Sequence, residues 1–330
     1  MNILITGGAG FIGSNFVQWW VANHPADEMV VFDLLTYAGN LENLETVKDK
    51  ITFIQGDICD PVAVDAAMRG IETVVHFAAE SHVDRSILDP SSFIRTNVLG
   101  TGVLLDAAKK HGIKRFHHVS TDEVFGHIEL DSNEKWTEQS PYNPRSPYSA
   151  SKAGSDHLVR AYYTTYGLPI TISNCSNNFG PYHFPEKFIP LAITNILEGK
   201  KIPLYKPGNQ VRDWLYVEDH CRAIEQILLQ GRVGETYLVG SSHKEYTNLE
   251  VANMILGLMG EPEAMIEFVG DRPGHDVKYA IDFSKIQNEL GWKPQADFET
   301  WLKKTIDWYR EHEQWWKRVK SGEYLNQYEK

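Results

Sequence analysis

The chain has 330 residues, 42% of them hydrophobic, and a formal net charge of −12 at neutral pH, a composition typical of a globular protein of about two domains. The negative charge disfavours nucleic acids and anionic membranes as partners, and no apolar run approaches the roughly 18 residues that span a bilayer. The N-terminal segment lacks the features of a signal peptide, and the three widely spaced cysteines, Cys59, Cys175 and Cys221, favour a cytoplasmic location with reduced thiols.

A glycine-rich turn follows the first predicted strand. The strand covers residues 2–6, and a predicted helix over 14–23 follows the turn. Glycines allow a sharp turn and the close approach of a pyrophosphate, which the free N–H groups of the helix N-terminus bind. A second predicted strand, 29–33, ends in a carboxylate that would bind the adenosine ribose and repel a 2′-phosphate. We therefore predict NAD as the cofactor, with contacts from Gly7, Gly10, Phe11, Ile12, Gly13 and Asp33.

Further strands alternate with helical segments. Residues 51–57 and 73–79 are the third and fourth predicted strands, and this rhythm predicts an α/β fold with a doubly wound parallel sheet of the Rossmann type. Asp57 either contacts the adenine or only forms a turn. The polar segment 80–86 is a ligand-binding segment or a solvated loop, and its place beyond a strand end favours the first interpretation. The strand ends add these candidates to the cofactor site: Asp57, Ile58, Ala78 and Ala79.

Two adjacent carboxylates follow the fifth predicted strand. Residues 114–119 are β-branched and aromatic, and Thr121, Asp122 and Glu123 come shortly after them. Adjacent side chains on an extended or turning backbone diverge, so the two carboxylates can address two different atoms of one substrate. We therefore predict that Asp122 and Glu123 work as an acid and a base.

A tyrosine and a lysine lie four residues apart in the next predicted helix, 148–166. This spacing places Tyr148 and Lys152 on one face of the helix. An ammonium group near a phenol lowers the pKa of the phenol, so we predict that Tyr148 is a base near neutral pH. Such a pair occurs by chance in many helices, and its predicted position near the nicotinamide favours the catalytic interpretation.

The rest of the chain has less regular patterning. A strand over 168–175 precedes an exit from the sheet, and a strand over 235–240 could rejoin it. Arg212 and Arg272 stand beside rigid or aromatic residues and predict a diphosphate clamp, with surface ion pairs as the alternative. No Cys/His spacing predicts a metal site. The other predicted helices cover 91–111, 189–198, 217–229, 249–259 and 298–316.

Together these motifs resemble the extended short-chain dehydrogenase/reductase superfamily (NAD-dependent epimerases and dehydratases) over nearly the whole chain. The glycine turn and the Tyr148/Lys152 pair are shared widely in that superfamily. The Thr121-Asp122-Glu123 triplet is typical of its hexose dehydratases, whereas epimerases of similar fold lack the Asp-Glu pair. Tyr205-Lys206-Pro207-Gly208 departs from the family, which more often has a glycine after the tyrosine. The stretches that match the dehydratases most specifically are 35–40, 79–86, 120–126, 212–220 and 272–276.

The resemblance implies an NAD-binding Rossmann domain over 1–180, partly rejoined by 212–240, and a smaller mixed α/β domain over 181–330 that binds the nucleotide sugar dTDP-glucose. It implies a homodimer formed through the helices over 91–111 and 148–166. The implied reaction oxidises sugar C4 transiently, eliminates water across C5 and C6, and returns hydride to C6. Its implied catalytic residues are Thr121, Asp122, Glu123, Tyr148 and Lys152, and its implied substrate contacts are Ser81, Asn177, Lys187, Arg212, Asn248, Arg272 and His275.

Three other functions are compatible with the sequence. An epimerase would use the same Tyr148 and Lys152 without eliminating water. A dehydratase could act on a UDP-, GDP- or CDP-hexose. A nucleotide sensor would keep the dinucleotide fold alone, although the four proton-transfer groups of this chain disfavour a protein without catalysis.

Overall fold

The computed structural model describes residues 1–241, 244–270 and 275–322. Within them, the strands are β1 (Asn2–Thr6), β2 (Glu28–Asp33), β3 (Thr52–Gln55), β4 (Thr73–His76), β5 (Arg115–Thr121), β6 (Ile170–Cys175), β7 (Asn177–Phe179), β8 (Ile202–Tyr205), β9 (Val211–Arg212), β10 (Trp214–Tyr216), β11 (Thr236–Val239), β12 (Tyr246–Thr247) and β13 (Ile266–Val269).

The helices of the same described residues are α1 (Phe11–Asn23), α2 (Pro61–Ala67), α3 (Val83–Leu88), α4 (Pro90–Phe93), α5 (Thr101–His111), α6 (Pro147–Tyr166), α7 (Phe188–Leu197), α8 (Val217–Gln230), α9 (Asn248–Met259), α10 (Ser284–Leu290), α11 (Phe298–Glu311) and α12 (Glu313–Ser321). Short 3-10 segments cover Leu41–Lys50, Asp122–Phe125 and Glu263–Met265.

A seven-stranded sheet in the order β3-β2-β1-β4-β5-β6-β11 carries the site described below, and every pairing in it is parallel. The predicted doubly wound parallel sheet is therefore confirmed. The strand order reverses between β1 and β4, and ligands of such sheets bind beyond the carboxyl ends of the strands at that point. β11 pairs with β6, so the chain returns to this sheet after a long excursion.

Separate apolar clusters cover the two faces of the sheet. On one face, α1 and α8 pack through Phe16, Trp20 and Ile224, all of them fully buried. On the other face, α5 packs through Leu104 and Leu105. Strands buried on both sides need apolar, β-branched residues throughout, which the sequences of β1 and β4 provide.

The C-terminal half has its own core. Buried side chains of α7, α9, α11 and α12 pack together there, with Trp316 and Tyr309 at 0% exposure. Short strand pairs, β8 with β13, β9 with β12 and β7 with β10, line the side of this unit that faces the sheet. These pairs are too short to give a sequence pattern of their own, and none of them was predicted.

Two predicted helices differ from the structure. The helix predicted over 91–111 contains a π-helical segment at Ile94–Gly100, where the Thr101 hydroxyl donates to the Asn97 carbonyl oxygen at 2.6 Å. The helix predicted over 298–316 is two helices, because His312 between α11 and α12 has non-helical dihedral angles (φ −111°, ψ 39°). Amphipathic periodicity continues across both interruptions and does not reveal them.

Candidate active site

A cavity of about 550 Å³ lies at the carboxyl edge of the sheet and extends to residues of the C-terminal half. It brings together nearly all of the site residues predicted from the sequence. Asp122 does not line it, and Arg272 lies outside the described residues. The predicted residues on the cavity wall are Gly7, Gly10, Phe11, Ile12, Gly13, Asp33, Asp57, Ile58, Ala78, Ala79, Ser81, Thr121, Glu123, Tyr148, Lys152, Asn177, Lys187, Arg212, Asn248 and His275.

The glycine turn leaves no room for side chains. Gly7 has a φ of +71°, and a Cβ atom there would lie 2.5 Å from the backbone nitrogen of Ala78. A Cβ atom on Gly13 would lie 2.2 Å from the carbonyl oxygen of Gly7. No side chain caps the N-terminus of α1, and its first turn contains no acidic residue. The free N–H groups and the open backbone therefore fit the pyrophosphate of a dinucleotide.

Asp33 is fixed at the end of β2 by its neighbours. Its two carboxylate oxygens accept hydrogen bonds from the backbone nitrogens of Ala9 (2.9 Å) and Leu35 (2.8 Å). Burial raises the pKa of this carboxyl group, and the two backbone bonds act in the opposite direction. A carboxylate oxygen accepts more than one hydrogen bond, so Asp33 retains acceptor capacity for the hydroxyl groups of a ribose.

Asp57 forms a turn and also lies on the cavity wall. One carboxylate oxygen accepts from the Cys59 backbone nitrogen (2.8 Å) and the other pairs with Arg95 (2.8 Å), which is the turn-forming role. The residue also lines the cavity, as the cofactor role requires. Segment 80–86 lies partly in α3 and contributes to the cavity wall, as the ligand-binding interpretation requires.

Tyr148 and Lys152 lie on the first turns of α6, which a capping box of Ser146 and Ser149 starts. Lys152 Nζ donates to the carbonyl oxygen of Val119 at 2.9 Å, and the Thr121 hydroxyl, which lies near Tyr148, donates to Asp122 Oδ1 at 3.3 Å. Burial lowers the pKa of the Lys152 ammonium group. Burial also raises the pKa of the Tyr148 phenol well above its ordinary value, and the nearby Glu123 adds to this effect. The predicted lowering of the Tyr148 pKa is therefore wrong for the protein alone, because desolvation outweighs the ammonium group.

Asp122 and Glu123 lie in the 3-10 turn that follows β5, and Thr121 caps this turn by accepting from the Glu123 nitrogen at 3.2 Å. Glu123 lines the cavity, whereas Asp122 is 1% exposed and lies behind the wall. Burial, with Glu123 and Asp213 nearby, raises the pKa of the Asp122 carboxyl well above its ordinary value. This environment favours the protonated form of Asp122, the form that can donate a proton.

Arg212 lies at the far end of the cavity without a carboxylate partner among the described residues. Its guanidinium group donates to the carbonyl oxygens of Val211 (2.8 Å) and Asp276 (2.9 Å), lies 3.1 Å from His275 Nε2 and stacks over the Tyr279 ring at 4.4 Å. The ion-pair alternative proposed for this arginine is therefore not observed, and its charge remains available to an anion.

The amides and the lysine on the cavity wall differ in their bonding. Among the described residues, Oδ1 of Asn177 and Oδ1 of Asn248 are buried and accept no hydrogen bond. Lys187 Nζ donates to the carbonyl oxygen of Ser81 at 3.2 Å and so joins the C-terminal half to the segment after β4. The two amide oxygens provide acceptors for donors of a ligand in the cavity.

Three loops meet at the cavity in a cluster that sequence reasoning missed. The guanidinium group of Arg85 lies 3.6 Å from the centre of the Tyr37 ring, and Glu186 lies 3.9 Å from Arg85 and 3.6 Å from His82. Tyr37 also contacts the Phe184 ring edge-on at 5.5 Å. Only the family-like stretches 35–40 and 79–86 hinted at two of these loops, and nothing in the sequence pairs them with Glu186.

Asn97 has a structural role at the edge of the site. Its side chain donates to the carbonyl oxygen of Glu80 (2.9 Å) and to Ser151 Oγ (2.8 Å), and it accepts from the Glu80 nitrogen (2.8 Å). It thereby holds the segment after β4 against α6. Among the described residues, no group of three His, Cys, Asp or Glu side chains is placed to hold a metal ion, and no helix is long and apolar enough to cross a membrane.

Comparisons with known proteins agree with this geometry. Residues 4–305 match the family model described as GDP-mannose 4,6 dehydratase. The chain is 52% identical over 323 residues to a dTDP-glucose 4,6-dehydratase of Mycobacterium tuberculosis, an alignment that covers 98% of this chain and 97% of that protein.

Two solved structures show that the fold alone does not distinguish a dehydratase from an epimerase. DesIV, a dTDP-glucose 4,6-dehydratase of Streptomyces venezuelae with NAD and TYD bound, superposes with a TM-score of 0.93 at 49% identity, over 97% of this chain and all of that one. A UDP-glucose 4-epimerase of Thermotoga maritima superposes with a TM-score of 0.87 at 28% identity, over 94% of this chain and 99% of that one. Dehydratases and epimerases share the backbone, so the side chains of the site must distinguish the reactions.

Proposed function

This chain belongs to the dTDP-glucose 4,6-dehydratases of the extended short-chain dehydrogenase/reductase superfamily, and we propose from that premise that it is a hydro-lyase that converts dTDP-glucose to dTDP-4-keto-6-deoxyglucose. The observation that carries the proposal is the carboxyl pair at the end of β5. Glu123 faces the cavity near Tyr148 and Lys152, and its neighbour Asp122 is buried in surroundings that raise the pKa of its carboxyl group.

NAD is the cofactor that the glycine turn and Asp33 fit. When bound, it would supply the hydride acceptor for sugar C4 and the hydride donor for C6. The backbone of Gly7, Gly10 and Gly13 would hold the pyrophosphate, and Asp33 the adenosine ribose. Lys152 would hold the other ribose, since it extends from α6 into the same cavity.

Tyr148 takes the proton of the sugar 4-hydroxyl. Because burial raises the pKa of its phenol, the phenolate needs cationic neighbours, and Lys152 one helical turn away is the one that this chain supplies. The Thr121 hydroxyl lies near the Tyr148 phenol on the cavity wall and would bond to the same sugar oxygen. The three side chains together orient the 4-hydroxyl for oxidation.

The carboxyl pair performs the elimination. A ketone at C4 acidifies the hydrogen on C5, and Glu123 removes that proton as the base. Asp122 donates its proton to the departing 6-hydroxyl, which leaves as water. Glu123 then returns a proton to C5 when C6 is reduced. Each acid or base of this kind contributes roughly a hundred- to ten-thousand-fold in rate.

The far end of the cavity would hold the nucleotide. Arg212 is the proposed diphosphate ligand, because its planar cation lies on the wall without a carboxylate partner among the described residues. Thymine as the base rests on the named relatives, since the described side chains do not select among bases. The further proposed substrate contacts are Ser81, Asn177, Lys187, Asn248, His275 and Arg272, of which Arg272 lies outside the described residues. We propose that the domain division follows the same geometry, with 1–180 and 212–240 around the cofactor and most of 181–330 around the nucleotide sugar.

Mass spectrometry in heavy water tests this function. We expect purified protein incubated with dTDP-glucose to give a product that has lost one water and carries deuterium at C5. Glu123→Gln and Asp122→Asn should each suppress water loss at least a hundred-fold while NAD and substrate still bind. Glu129→Gln is the matched control, because Glu129 lies on the same loop with 76% of its side chain exposed.

The outcomes separate the alternatives. If dTDP-glucose keeps its mass but a UDP-, GDP- or CDP-hexose is dehydrated, the enzyme is a dehydratase whose substrate is that other nucleotide sugar. Interconversion of sugar epimers without water loss would establish an epimerase and overturn the proposal. Normal turnover of Glu123→Gln or Asp122→Asn would remove that residue from its role.

We also propose a homodimer, which the family likeness implies and an exposed apolar face supports. Ile94 and Leu99 are 58% and 56% exposed, and they line a groove between the helical segment 94–111 and Leu158 of α6. Apolar side chains this exposed on neighbouring turns mark a protein contact. Leu99→Asp should give a monomer in sedimentation velocity, and a dimer that survives this change would place the contact elsewhere. The free thiols of all three cysteines support a cytoplasmic location.

A further inference from the structure

Another buried carboxylate outside the cavity wall lies on the helix that carries Tyr148 and Lys152. Asp156 on α6 has no exposed surface. One of its oxygens accepts from the Tyr142 hydroxyl (2.8 Å) and from Asn174 Nδ2 (3.1 Å), and the other lies 3.1 Å from His118 Nε2. The first oxygen has two donors, whereas the second makes no hydrogen bond among the described residues. A buried carboxylate is strongly unfavourable without donors, so Tyr142 and Asn174 are the groups that stabilise Asp156 in its place.

Two partners of Asp156 contact the segment that carries Thr121, Asp122 and Glu123. Asn174 also donates to the carbonyl oxygen of Thr121 at 3.1 Å, which fixes the end of β5. The Tyr142 ring meets Phe125, the last residue of the turn with Asp122 and Glu123, edge-on at 5.1 Å. Asp156 itself lies on α6, one turn after Lys152 and two turns after Tyr148.

Charge gives Asp156 a second role. Lys152 is 4% exposed and bonds to a backbone carbonyl oxygen, a neutral acceptor. Asp156, four residues further along α6, favours the charged form of this ammonium group, against the effect of burial. The His118 ring is neutral near pH 7, because burial lowers its pKa to about 4, so it does not cancel the charge of Asp156.

We infer that Asp156 is a positioning residue for the proposed reaction, because its buried carboxylate anchors the segments that carry the catalytic side chains and provides the counter-charge of the buried Lys152 ammonium group. The inference rests on the proposed function for its effect on catalysis. Removing the carboxylate charge should make Lys152 lose its proton at lower pH, and the assistance it gives to Tyr148 should end there. The titratable and charged groups around Asp156 and Lys152 are His118 of β5, His76 of β4, Cys175 of β6, Tyr142 of the loop before α6, and Tyr148 and Arg160 of α6 itself.

Asp156→Asn tests the charge with almost no change in shape. We expect the alkaline limb of the kcat profile to move down by about one pH unit or more, with a lower kcat and a KM changed less than about twofold. Tyr142→Phe is the matched control, because it removes one hydrogen bond to Asp156 and leaves the charge in place. Its alkaline limb should stay where it is in the unchanged protein. An unmoved limb in Asp156→Asn would overturn the counter-charge role.

A thermodynamic cycle with Lys152→Met gives an answer that needs no substrate. If Asp156 and Lys152 compensate each other, the double variant should lose less melting temperature than the sum of the two single losses, and it should recover folding if Asp156→Asn alone fails to fold. Additive losses, or a double variant that also fails to fold, would overturn the inference. An unchanged protein that makes no product would instead count against the proposed function alone.

Discussion

Replacing Gly13 with alanine should weaken the binding of NAD. The added Cβ atom would lie 2.2 Å from the Gly7 carbonyl oxygen and 2.9 Å from the Gly8 Cα atom, against about 3.4 Å for an ordinary contact, and both neighbours are backbone. The N-terminus of α1 must therefore move by about 1 Å from the turn, and strain of this kind lowers the free energy of unfolding by about 1–3 kcal/mol. A hydrogen bond to a charged phosphate contributes about 1.5–3 kcal/mol, so losing one weakens NAD binding about 10- to 150-fold.

Fluorescence titration of NAD into the stripped protein measures the affinity, and thermal denaturation without NAD measures the strain. Gly257→Ala is the matched control, since Gly257 lies inside α9 with nothing within 4 Å of its added Cβ atom. Alanine there should raise the free energy of unfolding by about 0.5–1 kcal/mol and leave NAD binding unchanged. An unaltered NAD affinity in Gly13→Ala would refute the rigid contact between turn and helix on which this reasoning depends.

Three further predictions concern the site and the buried histidines. Tyr148→Phe should abolish transient NADH absorbance on adding dTDP-glucose, and NADH formed at the normal rate would remove Tyr148 as the base. Arg212→Lys should raise the KM for dTDP-glucose about tenfold or more with kcat changed little, because lysine lacks the planar fork that binds a diphosphate; an equal loss in kcat would place Arg212 in the chemical step. Burial lowers the pKa of His220 to about 3, so the folded protein gains no proton there between pH 6.5 and 4 while the unfolded chain does. The free energy of unfolding therefore decreases as the pH is lowered through this window. His220→Gln should show a smaller decrease when urea denaturation is measured across the same pH range. An equal decrease in both proteins would contradict the buried neutral ring.

Local signals in the sequence predicted the parts of the site that are formed by neighbouring residues. The glycine turn, Asp33 and the Tyr148/Lys152 pair each depend on spacing within one strand–turn–helix unit, and the structure places them on one cavity wall. Such units have fixed geometry, so their spacing in sequence predicts their spacing in the fold.

The parts that the sequence did not predict depend on residues far apart along the chain. The pKa of Asp122 is raised because the fold buries it, with Glu123 and Asp213 nearby, and the Tyr148 phenol is desolvated by surroundings that no local pattern describes. The contact of Arg85 with Tyr37 and Glu186 joins three separate loops in the same way. The pKa of a side chain depends on how the tertiary structure buries it. The spacing of residues in the sequence therefore identifies the members of a site but does not determine which of them are protonated.

The return of β11 to the edge of the sheet has a consequence for synthesis on the ribosome. Residues 236–239 pair with β6, so the outer strand of the sheet is made only after all of α7 and α8. The nascent chain therefore presents β6 with one unpaired edge while residues 176–235 emerge, which include α7 of the other half and α8 of the cofactor half. The cofactor half cannot be completed before the sugar half has begun to fold, and chimeras that exchange substrate specificity between relatives must exchange several interleaved segments together.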